Sequence, residues 1–419
     1  MFILLVHYGV NTPFYDQWET VPLLQNIDHH TLSFSDLWRQ HNEHRVFFPT
    51  IALLASARIT HWNTGVEVLI SFLLAMITAT LLFLLLRTQF KGWVAATAGS
   101  LFAAWFFSPI QWENWLWGWQ VEWFMCITFV VLASFLLLKF VDTAGQRARR
   151  FLFAAALASA FIATFSLAGG IFAWLLGVAI LVLRRQSRNS LILWSAAGVA
   201  TTGLYYFHYT QTLSPSGPAT TVLAHHPFLF IEFFIAFLGG PAGSLKNGLQ
   251  TPDIIGTFLL ISLAPLLYLT WQRRKNIRVY LPWLLLIVYG ILCGLSTAFG
   301  RLGYSIGFAL SSRYTAFSLL YVIGLTGLAF SLITTTPRLS QAYKKFCVTG
   351  VVLFSLPILI SGYVVGIQGF KSHSSGMKAI KACTQAKNPS DDCLKLTYPS
   401  PSIVRPRLDY VKANHLAGY

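Results

Sequence analysis

The sequence contains few charged residues for its length. Asp, Glu, Lys and Arg make up 11% of the 419 residues, and only 14 residues are acidic, whereas 55% are hydrophobic. The mean hydropathy of +0.60 lies outside the usual range for soluble domains, and the apolar runs reach the length of a membrane span. The composition therefore excludes a soluble domain and predicts a polytopic membrane protein.

Several common signals are also absent. The chain contains no nucleotide-binding motif and no internal repeat, and its opening, MFILLVHYGV, has neither a basic region nor a cleavage site of a signal peptide. This opening is shorter than the roughly 20 apolar residues of a span, so we expect a truncated first helix or a natural start further upstream. The net charge of +16 is spread over the ends of apolar runs, which argues against nucleic acid as a partner.

The apolar runs predict an all-α fold with about nine to eleven transmembrane or re-entrant helices. Segments of spanning length lie at 64–86, 92–110, 120–141, 190–210, 254–271, 280–298, 313–334 and 346–367. Two further regions, 151–183 and 227–242, hold shorter apolar pieces interrupted by glycine or proline, which is typical of short or re-entrant helices. Residues 46–62 predict a helix lying in the membrane interface.

The basic residues predict the orientation. Sixteen Lys or Arg and a single acid, Asp142, occupy five connections, at 87–91, 139–150, 184–188, 273–278 and 338–345. By the positive-inside rule these face the cytoplasm. The opposite connections then face outward: 13–63, 111–119, 211–226, 299–312 and the tail. We therefore expect a transmembrane domain at 1–367, which includes the external loop 13–63, and a short extracytoplasmic tail at 368–419.

Polar residues concentrate on this predicted external side. Five of the 14 acidic residues lie in the external loop, the turn QWENWLWGWQVEW adds Glu113 and Glu122 among five tryptophans, and the turn GRLGYSIGFALSSRY adds Arg301 and Arg313. An ionised carboxylate at membrane depth is costly without a partner. Structural alternatives stay open: an interfacial aromatic belt for the tryptophans, snorkelling ends for the arginines, and a local ion pair for the Glu-His-Arg run within QHNEHRVFFP, residues 40–49.

A set of motifs carries a resemblance to a known class. PFYDQWETVPLL, QHNEHRVFFP, ENWLWGWQ, GRLGYS and SSRYTAFSLL resemble a family of bacterial membrane proteins with the layout of the GT-C glycosyltransferases, over nearly the whole chain. The resemblance implies transfer of a sugar from a polyprenyl-phosphate-type lipid donor outside the cytoplasmic membrane. It also implies a catalytic carboxylate in the first external loop, at Asp16 or Glu19.

The chemistry of glycosyl transfer suits these residue types. A carboxylate in a partly desolvated site can deprotonate the acceptor hydroxyl, and arginine can hold the phosphate leaving group with its planar fork. We predict three catalytic carboxylates, Asp16, Glu19 and Glu43. These carboxylates are also the candidates for holding a divalent cation, Mg or Mn, although their spacing does not distinguish this from a metal-free site. We predict a set of substrate-binding side chains: His44, Arg45, Glu113, Gln120, Glu122, Arg301 and Arg313.

The function predicted from the sequence is therefore a glycosyltransferase in the bacterial cytoplasmic (inner) membrane, acting outward on an envelope glycan, lipid or protein. Two alternatives remain: a transporter or flippase of a lipid-linked glycan, and a non-catalytic assembly protein. A transporter is expected to distribute polar residues through the bilayer midplane and to show repeats, whereas here polar residues crowd one face.

The tail contains the only two cysteines outside the apolar runs. Cys383 and Cys393 are ten positions apart, and the Pro-Ser-Asp-Asp sequence between them predicts a chain reversal. Disulfides persist in oxidising compartments, so an external tail predicts a Cys383–Cys393 bridge. The alternative is two unpaired thiols in a cytoplasmic tail.

Overall fold

The computed structural model describes residues 1–210, 219–244 and 250–419, and this part of the chain is helical without a β-strand. The helices α1–α10 are Phe2–Tyr8, Thr20–Asp28, Phe34–Trp38, Phe47–Thr60, Thr64–Gln89, Gly92–Phe106, Trp112–Leu116, Val121–Asp142, Gln146–Thr164 and Phe172–Leu183. The helices α11–α19 are Arg188–Tyr206, Ala219–His225, Pro227–Gly239, Gln250–Gln272, Ile277–Arg301, Thr315–Thr334, Gln341–Thr384, Asp391–Thr397 and Pro401–Ala413.

The described residues contain seven helices long and apolar enough to cross a membrane, or eight if the bent pair α12 and α13 forms one span. The seven are Thr64–Gln89, Gly92–Leu116, Gly118–Asp142, Thr251–Gln272, Arg274–Arg301, Ser312–Thr334 and Gln341–Thr384. The predicted span at 190–210 falls on α11, which is not among them. Together with two shorter apolar helices, Phe47–Thr60 and Ala168–Leu183, this confirms the predicted all-α polytopic architecture.

The predicted interruptions appear as breaks between helices. Between α9 and α10 the chain passes through a 3-10 turn at Ala168–Ile171, where a Cβ on Gly170 would lie 1.9 Å from the carbonyl oxygen of Ala163. Only glycine permits this close approach. Between α12 and α13 the chain bends by 106° at Pro227. Of the predicted external loop 211–226, residues 211–218 lie outside the described part.

Helix α16 is the centre of the bundle. In its most apolar stretch 89% of the residues are buried, and it packs against α15, whose Trp283 and Tyr289 are fully buried. The other long helices surround this pair, and together they form one continuous hydrophobic core. Because α16 begins at Thr315, directly after the loop that contains Arg313, the most deeply buried of the seven spans positions that loop.

The connections group at two opposite ends of the bundle, as the charge pattern predicts. At one end Asp142 forms ion pairs with Arg184 (2.5 Å) and Arg278 (2.9 Å), which joins three of the basic connections. At the other end the external loop contacts the turn at 299–312 through an ion pair between Glu43 and Arg301.

The tail packs on the external loop and forms a second hydrophobic core with it. Helix α17 continues without a break past residue 367, where the sequence analysis begins the tail, and Cys383 at its end is joined to Cys393 by a disulfide. Helix α19 then contributes buried side chains to a cluster with residues of the external loop: Trp18, Val21, Leu24, Leu54, Ala57, Trp62, Val404, Leu408 and Val411. The two ends of the chain therefore fold together.

Candidate active site

Asp16 lies on a short 3-10 helix, Tyr15–Glu19, that begins with a left-handed residue, Tyr15 (φ 44°). The side chain of Gln17 holds this helix from both sides. Its oxygen accepts a hydrogen bond from the backbone of Phe14 (3.1 Å), and its amide donates to the buried carboxylate of Glu67 (2.5 Å). The side chain of Asp16 itself is 30% exposed, which leaves its carboxylate free to meet a substrate.

Glu67 anchors the Asp16 helix to the bundle, and the sequence analysis did not select it. It occupies the first turn of α5 and accepts a second hydrogen bond from the indole nitrogen of Trp62 (3.0 Å). A Cβ on Gly118 would lie 2.2 Å from this carboxylate, so the tryptophan-rich turn can pass here only with glycine. A single acidic residue near the start of an apolar run looks like an ordinary polar residue in the first turn of a helix. The sequence pattern around Glu67 therefore does not mark it as a site residue.

A tight turn at His41–His44 positions the next two side chains. The backbones of His41 and His44 exchange hydrogen bonds of 2.8 and 2.9 Å, and Asn42 between them is left-handed (φ 48°). The turn directs Nε2 of His41 to within 3.7 Å of Oδ1 of Asp16, and the His41 ring packs on Trp119 with 4.9 Å between centroids. His41 is not predictable from the sequence, because one imidazole in a loop has no distinctive spacing.

The pKa values of the two histidines move in opposite directions. Burial lowers the pKa of His41, but the negative charge of Asp16, 3.7 Å away, together with Glu122 and Glu19, outweighs this effect, so the pKa of His41 rises above its usual value. Burial lowers the pKa of His44 to about 4. His44 is therefore neutral at pH 7, whereas His41 is the histidine suited to carry a proton beside Asp16.

Glu43 and Arg301 form a two-pronged ion pair across 258 residues of sequence. Arg301 donates from Nη1 to Oε1 (2.5 Å) and from Nη2 to Oε2 (3.0 Å), and its Nε donates to the hydroxyl of Tyr314 (3.0 Å). Burial raises the pKa of Glu43, but the charge and hydrogen bonds of Arg301 outweigh this effect, and the pKa of Glu43 lies below its usual value. The pair fixes the external loop to the end of α15.

Glu113 and Asn114 hold the loop before α16. One carboxylate oxygen of Glu113 accepts hydrogen bonds from the hydroxyls of Ser311 (2.9 Å) and Ser312 (3.0 Å) and from the backbone of Arg313 (3.0 Å). Asn114 donates to the Arg313 carbonyl (2.9 Å). The resulting clamp fixes the backbone from which the Arg313 side chain projects.

The Arg313 guanidinium lies over the rings of Tyr314 (5.4 Å) and Phe308 (5.9 Å). No carboxylate within residues 1–210, 219–244 or 250–419 forms an ion pair with it. This arrangement differs from that of Arg301, whose fork is taken by Glu43. Among the described residues, Arg313 is therefore the arginine of the site whose guanidinium is not paired with a carboxylate.

Two other predicted residues are engaged elsewhere. Arg45 is buried and donates to the carbonyls of Tyr205 (2.6 Å), Trp38 (2.8 Å) and Phe207, so its fork closes the loop onto the end of α11. Glu19 accepts from Arg407 (2.7 Å) and Tyr398 (3.0 Å) in the tail. The site thus groups Asp16, Glu43, Arg301 and Arg313 around the His41–His44 turn, whereas Arg45 and Glu19 face structural partners.

In the His41–His44 turn and the tryptophan-rich turn at 111–123, four buried polar atoms have no hydrogen-bond partner among the described residues. They are Nδ1 of His44, Oδ1 of Asn114, Oε1 of Gln120 and Oε2 of Glu122. Buried polar atoms are normally paired, and an exception calls for an explanation such as a bound molecule. Three of the four are acceptors, which suits a ligand that supplies hydroxyl donors. A small, partly open crevice lies beside His41, with Glu19, Arg39 and Trp119 in its wall; Asp16, Arg301 and Arg313 are not in this wall.

The predicted carboxylates do not form a shared metal site. Asp16 faces His41, Glu19 is bound by Arg407 and Glu43 is bound by Arg301, so the three do not converge on one point. No group of three or more His, Cys, Asp or Glu that could hold a metal ion occurs in the part of the chain that the structure describes. The arrangement therefore does not fit a divalent cation held jointly by Asp16, Glu19 and Glu43.

The contact between His41 and Asp16 predicts a pH-dependent stability. Because the charge of Asp16 raises the pKa of His41, the stabilisation is fully present below the unfolded-state value of about 6.5 and is lost as the pH rises through the higher folded-state value. We expect the melting temperature of His41→Gln to lie furthest below the melting temperature of the wild type at pH 5 to 6, and the difference to be smallest above pH 8. Thermal unfolding in lipid nanodiscs measures this, with the exposed His29→Gln as control; a difference that grows with pH would contradict it.

Comparison with known proteins gives matches among solved structures. No family model matches the chain, and no curated protein matches it. The chain is similar to the archaeal oligosaccharyltransferase AglB from Archaeoglobus fulgidus, in complex with an inhibitory peptide and a dolichol-phosphate, with 14% identity and a TM-score of 0.43. This match covers 94% of the chain and 57% of AglB, so the chain spans little more than half of the length of that protein.

It is also similar to ArnT from Cupriavidus metallidurans bound to undecaprenyl phosphate, with 14% identity and a TM-score of 0.44, over 98% of this chain and 85% of ArnT. Both proteins are GT-C glycosyltransferases, the class that the sequence resembles. At these TM-scores the likeness says nothing about which residues act.

Proposed function

We propose that the chain is a membrane glycosyltransferase that moves a sugar from a polyprenyl-phosphate-type lipid donor to an envelope acceptor on the extracytoplasmic face. The observation that carries the proposal is the joint placement of a partly exposed carboxylate, Asp16, and of Arg313, which has no ion-pair partner among the described residues, at one end of a membrane bundle. Glycosyl transfer from a lipid phosphate needs these two groups at the membrane surface.

Asp16 is the proposed general base. As the bond between the sugar carbon and the phosphate oxygen breaks, the phosphate leaves with the electron pair and the acceptor oxygen bonds to the carbon. The acceptor hydroxyl then loses its proton to Asp16. Glu19 and Glu43, the other two carboxylates nominated by the sequence, have their oxygens bound by arginines, which makes them poorer proton acceptors. His41 faces Asp16 at 3.7 Å and stabilises its ionised form when protonated.

Arg313 is the proposed phosphate ligand. A lipid-linked donor keeps its prenyl tail in the bilayer and its phosphate at the surface, which is the depth of the loop between α15 and α16. The fork of Arg313 can bind two phosphate oxygens, and the clamp from Glu113 holds its backbone in place. The unpartnered acceptors of Gln120 and Glu122 are the proposed partners of sugar hydroxyls.

We also propose that the site faces outward in a bacterial cytoplasmic membrane. The support is the charge pattern: the connections at the end that bears Asp142 carry the basic clusters, whereas the site lies at the other end, with most of the acidic residues of the chain around it. The disulfide between Cys383 and Cys393 lies on the same side as the site, and an oxidising compartment favours such a bond.

The test is a transfer assay with the protein in nanodiscs. The probe is a membrane lipid extract that carries radiolabelled polyprenyl-linked sugars, supplied together with delipidated envelope material. We expect label to leave the lipid fraction, to enter the envelope fraction and to be accompanied by free polyprenyl phosphate. A preparation that moves lipid-linked label across sealed proteoliposomes without releasing it from the lipid would instead establish the transporter and overturn the transferase.

A further inference from the structure

The tail makes a charged contact with the helix that bears Asp16. Glu19, three residues after Asp16, accepts hydrogen bonds from Nη1 of Arg407 at 2.7 Å and from the hydroxyl of Tyr398 at 3.0 Å. The side chains of Glu19 and Arg407 are only 18% and 16% exposed. Arg39 adds a weaker contact at 3.5 Å. The 3-10 helix is thus bound at its far end by residues almost the whole chain length away.

Apolar packing next to Glu19 also joins the Asp16 helix to the tail. Trp18, between Asp16 and Glu19, is fully buried in a cluster to which α19 contributes Val404, Leu408 and Val411. The disulfide joins the end of α17, a helix that continues from the bundle, to α18. The tail is therefore attached to the bundle at one end and to the Asp16 helix at the other.

The backbone at Asp16 requires such support. Tyr15, directly before it, has a left-handed conformation that a bulky residue rarely adopts, and such a residue persists only where its surroundings hold it. Gln17 and Glu67 hold the helix on the side of the bundle. Glu19 and Arg407 hold it on the side of the tail.

We infer that Arg407, with Tyr398, is a positioning residue: the C-terminal segment 385–419 holds Glu19 and thereby sets the position of Asp16 against the substrate. The inference rests on the proposed function in taking Asp16 as the base. Arg407 acts through Glu19, which in this assignment is a holding group and not a proton acceptor. A displacement of about 1 Å at a reacting group can cost roughly 100-fold in rate, so the contact affects the chemical step more than donor binding.

The experiment compares two arginines of the same helix. Arg407→Gln removes the contact with the external loop, whereas Arg405→Gln removes a pair with Asp391 (2.5 Å) that lies entirely within the tail. With the radiolabelled lipid extract as donor, we expect Arg407→Gln to lower kcat by about 10- to 100-fold with KM within twofold of the wild type. Arg405→Gln should stay within twofold in both, and Tyr398→Phe, which deletes a single hydroxyl, should give a smaller loss of kcat.

Hydrogen exchange of the same variants in nanodiscs reports on position directly. We expect faster amide exchange over residues 15–28 in Arg407→Gln and not in Arg405→Gln, with Arg407→Lys between Arg407→Gln and the wild type. Equal losses of kcat in Arg405→Gln and Arg407→Gln would overturn the inference, because the tail would then serve only the fold. If the wild type transfers no sugar, the proposed function fails and exchange alone decides: selective loosening in Arg407→Gln supports the contact, and equal exchange in both variants overturns it.

Discussion

Asp16→Asn is expected to lower sugar transfer by about 10²- to 10⁴-fold, the usual contribution of a general base. The substitution keeps the shape of the side chain but removes its ability to accept a proton. Its structural cost is small, because within the described part of the chain the Asp16 carboxylate forms a contact only with His41, at 3.7 Å. Folding and donor binding should therefore persist while turnover is lost. Single-turnover transfer from the radiolabelled lipid extract, alongside the melting temperature in nanodiscs, separates the two effects.

The same loop offers a matched control. Asp28 has a side chain 32% exposed, close to the 30% of Asp16, but it lies at the end of α2, where it pairs with Arg58 at 2.6 Å and accepts a hydrogen bond from the hydroxyl of Tyr410. Asp28→Asn should transfer at the wild-type rate. Full activity in Asp16→Asn would move the base to Glu19 or Glu43, and full activity in Asp16→Asn, Glu19→Gln and Glu43→Gln alike would argue against catalysis by a carboxylate.

The second large effect is expected at Arg313. Arg313→Ala removes a charged fork that has no ion-pair partner among the described residues, and a charge-assisted hydrogen bond contributes about 1.5–3 kcal/mol, so donor affinity should fall about 10- to 100-fold. Arg313→Lys keeps the charge but loses the fork, and we expect it to recover only part of this loss. Native mass spectrometry of nanodisc-derived protein with undecaprenyl phosphate as the probe gives the ratio of affinities.

Variants of Arg58 and Arg301 serve as controls for the effect of Arg313→Ala on lipid phosphate binding. Arg58→Lys, in an exposed pair with Asp28, should leave lipid phosphate binding unchanged. Arg301→Ala leaves Glu43 without its partner, so we expect a lower melting temperature together with any change in affinity. If lipid phosphate affinity is unchanged in both Arg313→Ala and Arg301→Ala, the two arginines are structural anchors.

Much of the fold follows from the sequence, because hydropathy and helix length are local properties. The spans at 64–86, 120–141 and 313–334 correspond to helices with nearly the same limits. The grouping of the loops also follows, because charge determines which connections share a side. The hydrophobic periodicity does not predict which residues of different loops contact each other. The ion pair between Glu43 and Arg301 joins positions 258 apart, and their common side is predictable whereas their contact is not.

Two residues of the site, His41 and Glu67, could not be predicted from the sequence, and the physical reason differs between them. His41 acts through the turn that aims it at Asp16, and a turn with a left-handed asparagine has no hydrophobic pattern to reveal it. Glu67 is a buried acid whose partners, Gln17 and Trp62, come from another segment. In α19, by contrast, Val404, Leu408 and Val411 recur at spacings of four and three, and this apolar stripe could have predicted that the tail packs against something.

The joint core of tail and loop has a consequence for how the protein is made. Glu19 is synthesised 388 residues before Arg407, and at elongation rates of about 5–20 residues per second this separation lasts roughly 20–80 seconds. During that interval the bundle can insert helix by helix, but Trp18 and its neighbours have no helix α19 to bury them. The loop that bears Asp16 can therefore complete its core only after α19 has been made, and a chain that stops short of Pro401 would be integrated into the membrane with this core incomplete.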